Sequence, residues 1–403
     1  MDAVKRSFLA LLRAGLRVRP AEGEISLTRE QWKALFDLAR AHKVLPLIFE
    51  PAYPGLKKAD PELAAALKGQ VRQQVILQTL RTAEFLELYR ALEEAGATPL
   101  VVKGIVCRRL YPRPDHRPSA DEDLLIPPAQ FALCHEVMSR RGLRTTEPDP
   151  QNAWEISYCK GGSPLYIELH KHLFSPGFGT DAEFNGFFAD VFRGAVRQAV
   201  EGDTVRTLAP TDHMTYLLFH AFKHFLHSGF GIRQVCDILL FAHSHDGVIH
   251  WAAVRESCRR IRAEKFAAAV FAIGTKHLGF DSVGPWNVAA VDESPLLEDV
   301  LRSGIYGSAE RSRLHSSTIT LEAAASKKSP RGGILTAAFP SAKDLQGRYP
   351  WLKKQPWLLP VAWADRVGVY LRETKHCPDS SLKDALRIGT ERVELLKKYG
   401  VVN

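Results

Sequence analysis

Apolar residues recur at helical spacing through the first 96 positions of the chain. Trp32 to Ala39 carries one such face, with Thr28 placed to cap it. A longer amphipathic run extends from Pro61 to Ala95, with Val71, Val75, Leu80, Leu86 and Leu92 as inward candidates. Gly96 ends it. The pattern then shortens. Leu100-Val101-Val102 reads as a strand, Gly104 as a tight turn, Ile105 to Tyr111 as the opening of a helix, and Leu124-Leu125-Ile126 as a second strand. A helix over Ala129 to Arg141 follows Pro127-Pro128 and stops at Gly142. In the alternating run Leu165 to His170, Tyr166, Glu168 and His170 share one face, and Lys160-Gly161-Gly162-Ser163 turns it back on Glu155 to Tyr158. Helical spacing returns from Thr211, the expected cap of a helix through His227. It continues over Arg233 to Ala242, Trp251 to Arg262, Ala263 to Gly279 and Leu382 to Lys398.

Ser308 to Arg331 is polar and reads as a linker or mobile loop. The motifs Phe339-Pro340, Tyr349-Pro350-Trp351 and Pro356 to Pro360 are expected to wrap a groove. The chain thus divides into an N-terminal helical region (1–96), an α/β core (97–205), a helical region (206–307) and a linker with a C-terminal wrapping segment (308–403).

Charge and cysteine content narrow the functional classes. A net charge of +9 suits a polyanionic ligand such as a nucleoside triphosphate. It leaves nucleic acid open, but no aromatic-glycine RNA signature, zinc-finger spacing or DNA-specific signal accompanies it. The six cysteines form no CxxC pair, which points to reduced thiols in a cytoplasmic protein rather than a disulfide frame. No apolar run has the length of a membrane span, and the N-terminus has no signal-peptide pattern, so no membrane partner is expected.

The chemistry concentrates between Pro99 and Pro127. Asp121 and Asp123, two apart at the head of a strand, would project together while Glu122 points away with Leu124. Convergent carboxylates need a partner, and a divalent cation with phosphate oxygens is the simplest one. Upstream, the Lys103-Gly104 turn feeds a helix N-terminus, whose free N–H groups suit a phosphate. Lys103 adds a point charge. Arg117 serves either the phosphates or a salt bridge to Asp115 or Asp121.

Lys103-Gly104, followed by Arg117-Pro118 and Asp121-x-Asp123-Leu124-Leu125, resembles the uncharacterised nucleotidyltransferase family of the polymerase β-like superfamily. The resemblance extends through His220 to His224 and Asp237 towards the C-terminus. It implies an α+β fold, with a small mixed sheet as nucleotidyltransferase core between N- and C-terminal helical regions. It also implies a third acid on a later strand, which is Glu168 here. Lys103-Gly104-Ile105 departs from the superfamily's Gly-Ser or Gly-Gly turn and lacks its hydroxyl. If Asp121, Asp123 and Glu168 converge, they hold two Mg²⁺ ions (or Mn²⁺) about 4 Å apart, with Glu168 as general base.

The implied reaction moves a nucleoside monophosphate from an NTP to a hydroxyl or phosphate acceptor on a small molecule, protein or RNA. A kinase-like γ-phosphoryl transferase and a non-catalytic nucleotide-binding or protein-interaction module are the alternatives. Glu168 has a plainer reading as an edge-strand partner of Lys171. His220 and His224 share a helical face but lack the third ligand and glutamate of a zinc motif. They read as core histidines or, with Lys223, as a cleft face in which Lys223 and His224 approach the triphosphate. Arg233 and Asp237 are expected to fix neighbouring helices through a buried ion pair. Removing Asp123 is expected to abolish transfer and to relieve carboxylate repulsion without harming the fold.

Overall fold

The computed structural model describes residues 1–17, 23, 25–176, 180–227, 229–304, 342–345, 349–363, 365 and 382–402. The segment Ser308 to Arg331 and the motif Phe339-Pro340 lie outside them. Four helices come first: α1 (Ala3–Arg17), α2 (Arg29–Ala41), α3 (Leu45–Ala59) and α4 (Pro61–Glu94). Thr28 caps α2 as its position in the sequence predicts, in a reciprocal pair with Gln31. Asp60 caps α4, and Gly96 follows it at φ 91°.

A six-stranded mixed sheet follows. Its strands are β1 (Leu100–Val102), β2 (Glu122–Leu125), β3 (Glu155–Cys159), β4 (Tyr166–His170), β5 (Val196–Val200) and β6 (Asp203–Thr207), in the order β3-β4-β2-β1-β6-β5. The β2–β4 and β1–β6 pairs are parallel and the others antiparallel. The fold is α+β, as expected. The β5–β6 hairpin is an addition, closed by Glu201 and Gly202 at φ 49° and 89°, a two-residue turn of the kind that matches strand twist.

Alternation along the strands gives the sheet one apolar and one polar side. Val101, Leu124, Ile156, Ile167 and Leu169 pack beneath Phe85, Tyr89 and Leu92 of α4 and Phe131, Cys134 and Met138 of α6 (Phe131–Arg140). Burying each such side chain contributes about 1.5–3 kcal/mol. Tyr89 also satisfies its hydroxyl, which donates to the Pro99 carbonyl and accepts from the Arg206 N–H.

The inward stripe of α4 differs from the expected one. Val71, Leu86 and Leu92 are buried and Val75 is partly so, but Leu80 is half exposed. At that level the inner face carries Gln78 and Thr82, both buried. Gln78 Oε1 accepts from the Ser119 N–H at 2.7 Å, and Thr82 Oγ1 accepts from Arg108 at 3.1 Å. A polar layer under the site displaces the aliphatic one, and helical periodicity cannot distinguish the two.

The short helices α7 (Thr180–Phe184) and α8 (Val191–Gly194) lead from β4 to β5, and beyond the sheet come α9 (Pro210–His227), α10 (Ile232–His245), α11 (Trp251–Arg260) and α12 (Glu264–Ile273). Thr211 lies inside α9 rather than capping it, and its hydroxyl accepts from the His250 N–H at 2.9 Å. The chain divides into two compact units, Met1–Ala221 with Ile232–Ser294, and Phe222–Gly231 with Pro295–Asn403. In the second unit, Leu345, Tyr349, Leu352 and Ala362 form a small core, and a helix spans Leu382–Lys398 as expected. No helix among the described residues is long and apolar enough to cross a membrane. Cys107, Cys134, Cys159, Cys236 and Cys258 are free thiols.

Candidate active site

Backbone register builds the site on the polar side of the sheet. Asp123 of β2 lies directly opposite Glu168 of parallel β4, so their side chains emerge on one face. His170, two residues on, joins them. Ligand atoms of Asp123, Glu168 and His170 all lie within 4.8 Å of one another. His170 Nε2 donates to Asp123 Oδ1 at 3.0 Å and stands 3.7 Å from Glu168 Oε2, while Glu155 lies 3.5 Å from its Nδ1. Asp121 precedes β2, partly exposed and outside this group of three, but its charge still acts on Glu168.

The turn before the short helix α5 (Gly104–Arg108) delivers a lysine. Lys103 takes a left-handed backbone (φ 54°, ψ −125°), and Gly104 follows at φ 34°. A Cβ on Gly104 would fall 2.0 Å from Glu122 Oε2, so only glycine fits. The Lys103 N–H donates to His213 Nε2 at 3.3 Å. Its ammonium reaches Asp123 Oδ1 and His220 Nε2, each at 3.1 Å, above the Tyr216 ring.

The helix N-terminus is not an open phosphate cradle. Glu122, fully buried on the opposite side of β2 from Asp123, accepts from the Ile105 N–H and from Arg108 Nη1, both at 2.8 Å. An internal carboxylate therefore occupies the place in which the sequence suggests a phosphate. The Ser119 and Thr82 hydroxyls also accept from Arg108, through Nη1 and Nη2. Sequence reading sets Glu122 aside because it points away from Asp123. It does point away, and that orientation lets it fasten the turn.

Charges in the cluster depend on one another. Burial opposes ionisation of Asp123, but Lys103 and then His170 hold its carboxylate down to about 2. His170 is raised to about 9 against burial by its bonds to Asp123 and Glu168, so it is an imidazolium at neutral pH. Burial, then the Asp123 and Asp121 charges, raise Glu168, with the His170 bond opposing. Asp123 is thus held by cations, and removing it leaves two of them exposed to each other. The Asp123 charge also adds to the rise of Glu168, so the expected carboxylate repulsion is present beside these cations.

The other candidates separate. Arg117 is buried and grips Asp237 through Nε and Nη2 at 3.0 and 2.6 Å, with Tyr111 also on that carboxylate. The expected partners Asp115 and Asp121 are not the ones it takes, and Asp237 pairs with Arg117 where Arg233 is expected. Lys171 donates to the carbonyls of Pro150 and Gln151, away from the edge-strand pairing with Glu168. His220 lines the site through Lys103, whereas Lys223 and His224 belong to the second unit. Sequence reading does not single out His213 and Tyr216, which also line the Lys103 turn. They stand seven and four residues before His220, on the same face of α9.

The group suits a hard cation. Asp123 and Glu168 offer oxygen atoms from neighbouring strands within reach of one ion, and after burial the charges of Asp123 and Asp121 raise Glu168 further. Lys103 and His170 both reach the same oxygen of Asp123. No curated protein and no solved structure matches the chain. A family model described as uncharacterised nucleotidyltransferase matches residues 28–279, which include every residue of this cluster, and by that match the chain belongs to the uncharacterised nucleotidyltransferase family.

Proposed function

We propose that the protein is a Mg²⁺-dependent nucleotidyltransferase that moves a nucleoside monophosphate from an NTP to a hydroxyl or phosphate acceptor on a small molecule, a protein or an RNA. The observation that supports this most directly is the register of Asp123 with Glu168 on parallel strands of a nucleotidyltransferase-family chain. Asp121, Asp123 and Glu168 would hold the magnesium ions, with Mn²⁺ as a substitute. Bound there, the metal would neutralise the triphosphate and acidify the acceptor hydroxyl.

The chain's own groups supply the rest. Lys103, fixed by the Glu122-capped turn, sets a positive charge beside the phosphates. Glu168, raised by burial, accepts the acceptor's proton at its carboxylate oxygen. The acceptor oxygen then bonds to the α-phosphorus, and the bond from that phosphorus to the bridging oxygen breaks as pyrophosphate leaves. Arg117 braces the loop that carries Asp121. Free thiols are in keeping with a cytoplasmic enzyme.

An acceptor screen with magnesium and ATP tests the reading, using wild type and Asp123→Asn, which keeps the side chain's shape. Transfer is expected in wild type alone, with both proteins melting as single folded species. Equal transfer by a folded Asp123→Asn protein would overturn the site assignment.

A further inference from the structure

One face of α9 holds Lys103 at both ends. Its side chain lies against Tyr216 and His220, and its backbone N–H donates to His213 Nε2 at 3.3 Å. His213 is fully buried, seven residues before His220 on that face. The hydrogen-bond pattern fixes its tautomer. The Lys103 N–H can only donate, so Nε2 carries no proton. Thr207 Oγ1 gives its hydrogen to the Val101 carbonyl at 2.7 Å and stands 3.3 Å from His213 Nδ1. It therefore accepts there, and Nδ1 carries the ring's proton. A residue of β6 thus sets which ring nitrogen is open to Lys103.

The contact falls where the backbone needs it. Lys103, at φ 54° and ψ −125°, has a conformation that a residue with a Cβ rarely takes. Its carbonyl opens α5 by accepting from the Val106 N–H at 2.9 Å, and the Ile105 N–H is taken by Glu122. The His213 bond secures the other side of the same residue and holds the Val102–Lys103 peptide against rotation. Rotating it would relieve the strained backbone and carry the ammonium away from Asp123 Oδ1 and His220 Nε2, each 3.1 Å from it. The bond resists that rotation, because rotation would leave a buried imidazole nitrogen without its donor.

We propose that His213 is a positioning residue for Lys103: through Nε2 it fixes the Lys103 N–H, and with it the turn that sets the ammonium between Asp123 and His220. This deepens the nucleotidyltransferase reading and rests on it for what Lys103 does to a phosphate, but not for where Lys103 sits. His213 acts through Lys103 rather than on substrate.

The test is competitive amine labelling of the full chain, read peptide by peptide by mass spectrometry, with exposed Lys160 as the internal standard. A glutamine places its amide oxygen as far out as Nε2, whereas an asparagine reaches only as far as Nδ1. His213→Gln is therefore expected to keep Lys103 near its wild-type labelling rate. His213→Asn should raise that rate about tenfold, the fold-change of one net hydrogen bond. The buried Cys258 thiol of α11 should stay closed to alkylation in both, which separates release of one lysine from general loosening. Thr207→Val, which removes the oxygen that fixes the tautomer, should raise Lys103 labelling as well, and it decides the matter if His213→Asn opens Cys258. Lys103 labelled at the wild-type rate in folded His213→Asn or in Thr207→Val, or equally fast in the glutamine and asparagine variants, would overturn the proposal. In the transfer assay, turnover should fall with His213→Asn and be restored in His213→Gln. Labelling needs no turnover, so absence of nucleotidyl transfer would count against the reaction and leave this role of His213 standing.

Discussion

Glu122→Gln is the substitution whose cost the structure sets out most fully. Both carboxylate oxygens are in use, one on Arg108 Nη1 and one on the Ile105 N–H, each at 2.8 Å and away from water. A glutamine has one oxygen and one NH₂, so one of those donors must meet another donor. Arg108, itself fully buried, also loses its counter-charge. Breaking a buried pair from one side costs about 3–5 kcal/mol. At about 2–4 °C per kcal/mol for a unit of this size, the melting temperature should fall by roughly 10 °C. Thermal unfolding of wild type, Glu122→Gln, Arg108→Met and the double variant measures it. The double variant should recover more than half of the loss, because it removes both charges together. A Glu122→Gln protein within about 1 kcal/mol of wild type would refute the reasoning.

Three further outcomes are expected. Leu80→Ala on the exposed side of α4 should change stability by under about 0.5 kcal/mol, whereas Leu92→Ala in the core should cost about 2–5 kcal/mol in the same unfolding assay. Gly104→Ala should destabilise the turn, because its methyl meets Glu122 and its φ is positive, and transfer should fall with it. His213, buried against Phe241, is held down to about 3 by burial first and then by His245 and Arg109. Its folded value lies below its unfolded one, so its contribution is complete above about pH 6.5 and declines as pH falls towards 3. By pH 5 the loss should reach about 2 kcal/mol, and His213→Gln should flatten that part of the stability–pH curve.

Local rules made much of this legible. The period-2 alternation of β4 placed Glu168 and His170 on one face, and caps and glycines bounded α2, α4 and α6. Spacing alone could not give the partners of charges distant in the chain. Arg117 finds Asp237 120 positions on, and the α5 N-terminus finds Glu122. A free helix N-terminus and one closed by a distant carboxylate have the same local sequence. Arg81 carries no motif at all, because its meeting with the Ser119 and Pro164 carbonyls is a product of helix packing. The buried Gln78–Thr82 layer breaks the apolar stripe of α4 for the same reason: its partners, Ser119 and Arg108, come from elsewhere.

The most direct test of the acidic pair as a nucleotidyl-transfer centre follows the label from α-labelled and γ-labelled ATP into acceptor. It compares wild type with Glu168→Gln, with magnesium present and after chelation. The account expects α-label alone to transfer, only with metal and only in wild type. Transfer of γ-label, or of α-label by Glu168→Gln at the wild-type rate, would contradict it.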